Sequence, residues 1–414
     1  MLTLFYDCYC VLTKVYSGGA FIKQAMTETP IDEKNRAHLT KICYGVLDKD
    51  ISLEYELSAL CDKRPKQAVR TILKIGMYSI KHLNTAVYAV TDNLVELIKK
   101  LGKGATAGFV NAFLRKYAKA EIPLPEDKIK RLSVIYSYPE FAVRKLVFEY
   151  GEQRAEGIMS ADTERTAVRF NSGIDGEAYL TERRWSFEKT PFDNSFFVNG
   201  FKRNEDFDEG IYTFQSIGSV AICAAVEDGE RLLDACAAPG GKSVNLADRF
   251  ASVTSCEIHP HRVGLIEDYF KRMKKANITA VEQDSSVYNP DYEKGFDAVL
   301  CDCPCSGYGV IKDNPDIKLR RTEEDIVGLN KIQYEILSNC SRYVKNGGSL
   351  YYSTCSIFKS ENERICQRFL ASHPEFEEVE IESPLPNERM KHGISFFPDK
   401  SFGAGFFVCK FIRK

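Results

Sequence analysis

Two cysteines in this chain stand where a thiolate can do covalent chemistry. Cys305 lies in Asp302-Cys303-Pro304-Cys305-Ser306-Gly307 and Cys355 in Ser353-Thr354-Cys355-Ser356, and each motif follows a short apolar run. A thiolate is a strong nucleophile toward an electron-poor ring carbon, so a cysteine beside an aspartate suits a reaction on a pyrimidine. Carbon 5 of cytosine is too electron-poor to attack a sulfonium methyl group. A thiolate that adds to carbon 6 makes carbon 5 enamine-like; once the methyl has moved, a base takes the carbon 5 proton and the thiol leaves. Either cysteine alone also reads as a small buried hydrophobe. Cys301, Cys303 and Cys305 alternate, which invites a zinc reading, but no CxxC or histidine pair accompanies them and no metal is expected.

A place for a methyl donor is read at 231–243. Leu232-Leu233 ends at Asp234, small residues turn through Pro239-Gly240-Gly241, and an apolar-periodic stretch starts at Lys242 and Ser243. This is the pattern of strand, glycine-rich turn and helix, in which glycine lets backbone approach a ligand and a helix N-terminus points at it. The spacing is neither GxGxxG nor GxxxxGK[ST]. Asp234 followed by small residues suits a ligand with hydroxyls and a positive centre, which S-adenosylmethionine offers. Glu257 closes a second strand about twenty residues later, where an acid can accept ribose hydroxyls. Asp284 follows a third strand and suits either the adenine amino group or a turn or helix cap.

These residues need a sheet to bring them together. Past Glu230 the rhythm predicts strands at 231–235, 253–258, 279–283, 296–301, 348–353 and 405–412 with helices between most of them, a doubly wound and mostly parallel sheet. Ligands of such sheets bind beyond the carboxyl ends of the strands, so Asp234, Glu257, Asp284, Asp302 and Cys355 should meet. Earlier in the chain, 37–47, 69–83, 90–101 and 107–117 carry apolar residues at helical spacing and predict a small bundle. Pro123 and Pro125 mark a boundary. Helix continues over 128–159 with Tyr138-Pro139 as a break, and 165–215 alternates in places like an α+β module. The expected division is 1–122, 123–215 and 216–414.

At 414 residues the chain is too long for one typical core. With 44% apolar and 28% charged residues it reads as globular, and it contains no apolar run of membrane-spanning length. The N-terminus lacks the features of a signal peptide, so no membrane partner and a cytoplasmic location are expected. Fourteen cysteines scattered over such a chain read as reduced thiols. A net charge of −2 argues against a surface that grips nucleic acid everywhere, but local basic clusters such as Lys63-Arg64-Pro65-Lys66 and Arg115-Lys116 leave room for a phosphate-binding face.

The stretches DACAAPGGK at 234–242, DAVLCDCPCSGYGVIKDNPDIK at 297–318, YYSTCS at 351–356 and GAGFFVCKF at 403–411 carry a family resemblance. The chain from about 130 to 414 resembles the Sun-type, or RsmB-like, RNA cytosine-5 methyltransferases. The first 120 residues resemble their NusB-like RNA-binding domain, with Asn111 to Arg115 similar to its NxxLR ending. The resemblance implies an all-α NusB-like bundle, a small α+β module and an α/β Rossmann-like methyltransferase domain. It also implies S-adenosylmethionine held by Cys236, Ala237, Ala238, Pro239, Gly240, Gly241, Lys242, Glu257, Arg262, Asp284 and Asp302. Cys355 would be the nucleophile and Cys305 would serve product release, whereas DNA cytosine methyltransferases use the Pro-Cys thiol as nucleophile. Asp302 would also touch the cytosine amino group, and Lys242 would help position the base. Two stretches depart from the family: Cys303 replaces the usual Ala or Pro, and 377–402 lacks the commoner Leu-Pro-ending pattern.

The function so implied is formation of 5-methylcytosine in RNA by a monomer, with 16S ribosomal RNA the expected substrate. The alternatives are the same chemistry on tRNA, or a NusB-like RNA-binding factor with an inactive methyltransferase domain. Methylation of an adenine amino group would call for an aromatic residue where Cys305 stands.

Overall fold

Apolar residues spaced by three and four become helices along the first part of the chain. The structure, a computed structural model, describes residues 1–162 and 165–414. Two units divide it: Met1–Met159 with Asn314–Arg320, and Ser160–Asp313 with Arg321–Lys414.

In the first unit the helices Glu33–Asp48, Gln67–Lys81, Val87–Lys100 and Ala107–Tyr117 realise the four periodic stretches, and Leu2–Tyr16 joins them. Gln67–Lys81 is the most enclosed, with Val69, Ile72, Leu73, Ile75, Met77 and Ile80 in the core. Lys74 is buried with them, and its ammonium lies 2.7 Å from Asp50 and 3.0 Å from Glu54. A buried ammonium without such partners would cost several kcal/mol, so these carboxylates are what lets the helix carry it inward. Lys128–Tyr136 is capped by Asp127, which accepts from Lys130 N at 2.8 Å, and ends at Ser137 in a left-handed conformation (φ 56°) before Pro139. This is the expected break; Glu140–Tyr150 follows it. The segment Asn314–Arg320 belongs to this unit, where Lys318 Nζ lies 2.8 Å from Asp48 O and Oδ1 and Asp316 accepts from Ile22 N at 3.1 Å. Nothing in the sequence pattern signals that a stretch just beyond the fourth-strand motif packs with helices some three hundred positions earlier.

The second unit opens with four antiparallel strands, β1 (Ala167–Phe170), β2 (Phe187–Lys189), β3 (Ser195–Val198) and β4 (Tyr212–Phe214), in the order β2-β3-β1-β4. Phe170, Tyr179, Phe196, Phe207 and Tyr212 form its core.

A larger sheet follows: β5 (Gly229–Asp234), β6 (Phe250–Glu257), β7 (Ile278–Glu282), β8 (Phe296–Asp302), β9 (Val344–Thr354), β10 (Phe376–Val379), β11 (Glu388–Arg389), β12 (Ile394–Phe396) and β13 (Phe406–Arg413). The order is β11-β12-β13-β9-β8-β5-β6-β7, with β10 beside β13. From β7 to β9 all pairs are parallel, and β13 returns antiparallel to β9. The central β8 reads Phe-Asp-Ala-Val-Leu-Cys-Asp, an apolar run suited to a strand covered on both faces. All six expected strands are present. The structure adds β2, β10 and β11, short pieces rich in charge that lack the apolar alternation of a half-buried strand, and β12, whose three residues are too few to show a period. The order reverses between β5 and β8, which is where doubly wound sheets bind ligands. Among the described residues no helix is long and apolar enough to cross a membrane.

Candidate active site

Beyond β5 the chain turns through Ala235 to Gly240 into the helix Gly241–Leu246. Gly240 caps that helix at φ 103°, a conformation that favours glycine, and its N–H donates to Ala237 O at 2.7 Å. The helix is fewer than two turns long, so the loop offers a ligand close backbone more than the field of a long helix. A cavity of about 200 Å³ opens beside it, lined by Asp234, Cys236, Ala237, Ala238, Pro239, Gly241, Lys242 and Asp302, and across from them by Phe214, Gln215, Ser216, Ser219 and Tyr269.

Asp234 is fully buried at its floor. Its Oδ2 accepts from Ser243 Oγ at 2.7 Å, its Oδ1 has no hydrogen-bond partner, and burial pushes its pKa up to about 6. Glu257, at the end of β6, accepts from His259 N at 3.0 Å and pairs with Arg262 at 3.0 Å. Arg262 in turn donates to Ala238 O at 3.1 Å, so Glu257 and Arg262 brace the loop from the second strand. Asp284 spends Oδ1 on the N–H and hydroxyl of Ser286, at 2.9 and 2.7 Å, which is the turn geometry weighed above. Glu257, Arg262 and Asp284 stand outside the cavity wall.

Asp302 ends β8 and faces two ways. Its Oδ2 lies 2.6 Å from Lys242 Nζ, and its Oδ1 accepts from Ser353 Oγ at 2.7 Å. Burial works against the Lys242 charge, but the Asp302 carboxylate outweighs it and raises the lysine above its ordinary value. Two residues beyond Ser353 stands Cys355, whose sulfur is 3.2 Å from that of Cys305. Both are partly exposed, unlike Cys301 and Cys303, which are buried. Proton sharing with Cys355, then burial, pushes the Cys305 thiol well up. Gly309 N donates to Cys355 O at 2.9 Å, and a Cβ at Gly309 would fall 2.0 Å from Gly405 O. That crossing accounts for Gly405 in GAGFFVCKF.

Sequence reasoning missed several residues. Gln215, just past β4, accepts from Arg169 Nε at 2.9 Å and donates to Gly241 O at 3.2 Å, joining the small sheet to the loop. Ser360-Glu361-Asn362-Glu363 reads as a polar helix start. The helix instead begins at Glu363, and Glu361 is fully buried beneath the thiols. Only the density of polar residues behind Thr354-Cys355-Ser356 could have signalled this.

A family model described as "16S rRNA methyltransferase RsmB/F" matches residues 221–412, and that of the NusB family matches 11–119. "Probable ribosomal RNA small subunit methyltransferase B" of Bacillus subtilis (strain 168) is 31% identical over 95% of this chain and 94% of its own length. "Ribosomal RNA small subunit methyltransferase B" of Citrobacter koseri is 27% identical over 93% and 92%. In fold, the chain is similar to the crystal structure of PH0851, with a TM-score of 0.83 at 22% identity over 100% of this chain and 98% of that one.

Proposed function

The chain belongs to the 16S rRNA methyltransferase RsmB/F family, and from that premise we propose that it forms 5-methylcytosine in small-subunit ribosomal RNA through a covalent link between Cys355 and the base. The observation that carries this reading is the pair of partly exposed sulfurs 3.2 Å apart, joined through Ser353 and Asp302 to the loop at 236–242. S-adenosylmethionine, when bound, supplies the electrophilic methyl group. The cavity fits such a ligand: the unpartnered Asp234 Oδ1 awaits a donor or a positive centre, and a Cβ at Gly241 would meet nothing closer than 3.8 Å. Cys236, Ala237, Ala238, Pro239, Gly241 and Lys242 would hold it, Asp302 would close its end, and Glu257 with Arg262 would keep the loop in place.

Cys355 attacks carbon 6 of the cytosine as thiolate, while Cys305 retains its proton. Asp302 has lone pairs left on both oxygens and accepts from the cytosine amino group, which holds the ring plane against the thiol. Lys242, kept charged by Asp302, orients the base. After transfer Cys305 serves release: once it has given its own proton to solvent, its thiolate takes the carbon 5 proton, that electron pair restores the ring double bond, and the carbon 6–sulfur bond breaks so that Cys355 leaves as thiolate. In this reading 1–122 is the RNA-binding domain, with Arg115 and Lys116 exposed on its last helix. Residues 123–215 are linker helices and the small module, and 216–414 are the catalytic domain of a cytoplasmic monomer.

Incubating the protein with small-subunit ribosomal RNA and methyl-labelled S-adenosylmethionine, then digesting to nucleosides, tests the reading. Label in 5-methylcytidine is expected. Label in any other nucleoside, or none in any RNA offered, overturns it.

A further inference from the structure

Both thiol loops close on one buried carboxylate. Glu361 Oε1 accepts from Ser306 N at 2.8 Å and from Gln333 Nε2 at 3.1 Å, and Oε2 accepts from the hydroxyls of Ser306 and Ser356, each at 2.5 Å. Gln333 is itself fully buried and also donates to Pro304 O at 2.9 Å. Ser306 follows one thiol and Ser356 follows the other, so Glu361 is shared between the residues next to Cys305 and Cys355.

The two loops depend on it unequally. Cys355 directly follows β9, whose last residue Thr354 is in register with Phe407 of β13. Its carbonyl is held by Gly309, and Asn362 grips the residues on either side, accepting from Thr354 Oγ1 at 2.6 Å and donating to Ser356 O at 2.9 Å. The Cys305 loop is pinned to these elements only at more distant points, beyond it by that same Gly309 bond and before it by the sheet. The last bond to the sheet on its side is Cys303 N to Ser353 O at 2.9 Å. Beyond it, Pro304 and Ser306 are held by Gln333 and Glu361.

We propose that Glu361 is the positioning residue that sets Cys305 against Cys355, so that release of the methylated base depends on it while attack does not. The proposal rests on the cysteine reading given above. In Glu361→Gln the amide oxygen can still serve Ser306 N and Gln333 while the amide nitrogen donates to the two hydroxyls, so the charge-assisted hydrogen bonds that hold Ser306 become weaker neutral ones at nearly constant shape.

The test follows the covalent protein–RNA complex over a single turnover in the full chain. In Glu361→Gln, formation of the complex should stay within about threefold of wild type, while its decay slows roughly tenfold to hundredfold, the range expected for one charge-assisted hydrogen bond. S-adenosylmethionine affinity and melting temperature are read alongside, because a general loosening of the domain would move them and slow both steps together. Ser306→Ala removes only a hydroxyl and should slow decay in the same direction by less; it decides the matter if Glu361→Gln does not fold. Decay at the wild-type rate, or equal slowing of formation and decay, overturns the proposal. Cys305→Ala is the reference. If it traps the complex while Glu361→Gln and Ser306→Ala release normally, the positioning role alone is wrong; if it traps nothing, the cysteine reading fails and takes this proposal with it.

Discussion

Asp302 stands between two halves of the site that are built differently. Toward Oδ2 lies the cofactor half, where Lys242, Gly241 and the backbone of Cys236 to Pro239 wall a cavity whose space exists because side chains are missing. Toward Oδ1 lies the thiol half, where Ser353 bonds Asp302, the sulfurs of Cys305 and Cys355 lie 3.2 Å apart, and Glu361 ties together Ser306 and Ser356, the residues that follow them. The first half should fail when atoms are added and the second when atoms are removed.

The largest effect is expected from removing one atom in the thiol half. Cys355→Ala should lower the initial rate of methyl transfer on the order of 10⁴-fold or more, as losing a covalent nucleophile does, without changing S-adenosylmethionine affinity. Measurable turnover would show that the thiol half does not work as described.

Adding atoms to the cofactor half comes next. The glycine motif nominates Gly240, but a Cβ there would lie 3.4 Å from Ile266, against the protein rather than in the cavity. Gly240→Val should therefore act through its φ of 103° and lower stability by roughly 1–3 kcal/mol, read as a lower melting temperature. Gly241 is the better probe, because a side chain there enters the cavity from an ordinary backbone conformation. Gly241→Val should fold as wild type and weaken S-adenosylmethionine binding on the order of tenfold to hundredfold by calorimetry. Normal binding would remove the cofactor from this half.

Asp234 should give a smaller, pH-dependent effect. Its pKa in the fold is raised from 3.8 to about 6, so its contribution to stability is fully present below 3.8 and lost as pH rises through about 6. A cationic ligand favours the ionised form, so affinity for S-adenosylmethionine should fall by up to about tenfold per unit as pH drops below about 6. Asp234→Asn should abolish the inflection; if the inflection stays, another group titrates. Smallest of all, and outside both halves, Arg115→Ala with Lys116→Ala should weaken RNA binding a few-fold. The log–log salt slope should become shallower by about 0.7–0.9 per lost phosphate contact. An unchanged slope would exclude these residues from the RNA face.

The contrast between the halves also explains what was legible in the sequence. A cavity made by absent side chains leaves a mark in composition, and Ala237-Ala238-Pro239-Gly240-Gly241 announces it. Strand ends are equally readable, because an apolar run that stops at Asp234, Glu257 or Asp302 gives both the element and its polar terminus. Glu361 is invisible by the same logic: a glutamate before a helix looks like an exposed first-turn acid, and only the meeting of β8, β9 and the Gln333 helix makes it a buried acceptor. Gln215 and Tyr269 come from elements far apart in the chain and have no motif of their own. The assignment of Asn314–Arg320 to the helical unit is likewise a tertiary fact with no local pattern.

The division of labour between the two sulfurs is tested most directly by a denaturing gel of Cys355→Ala and Cys305→Ala, each incubated with substrate RNA and S-adenosylmethionine. A shifted, nuclease-sensitive band is expected for Cys305→Ala, which attacks and methylates but cannot release, and no such band for Cys355→Ala. A shifted band with Cys355→Ala and none with Cys305→Ala would contradict this division and exchange the roles of the two thiols.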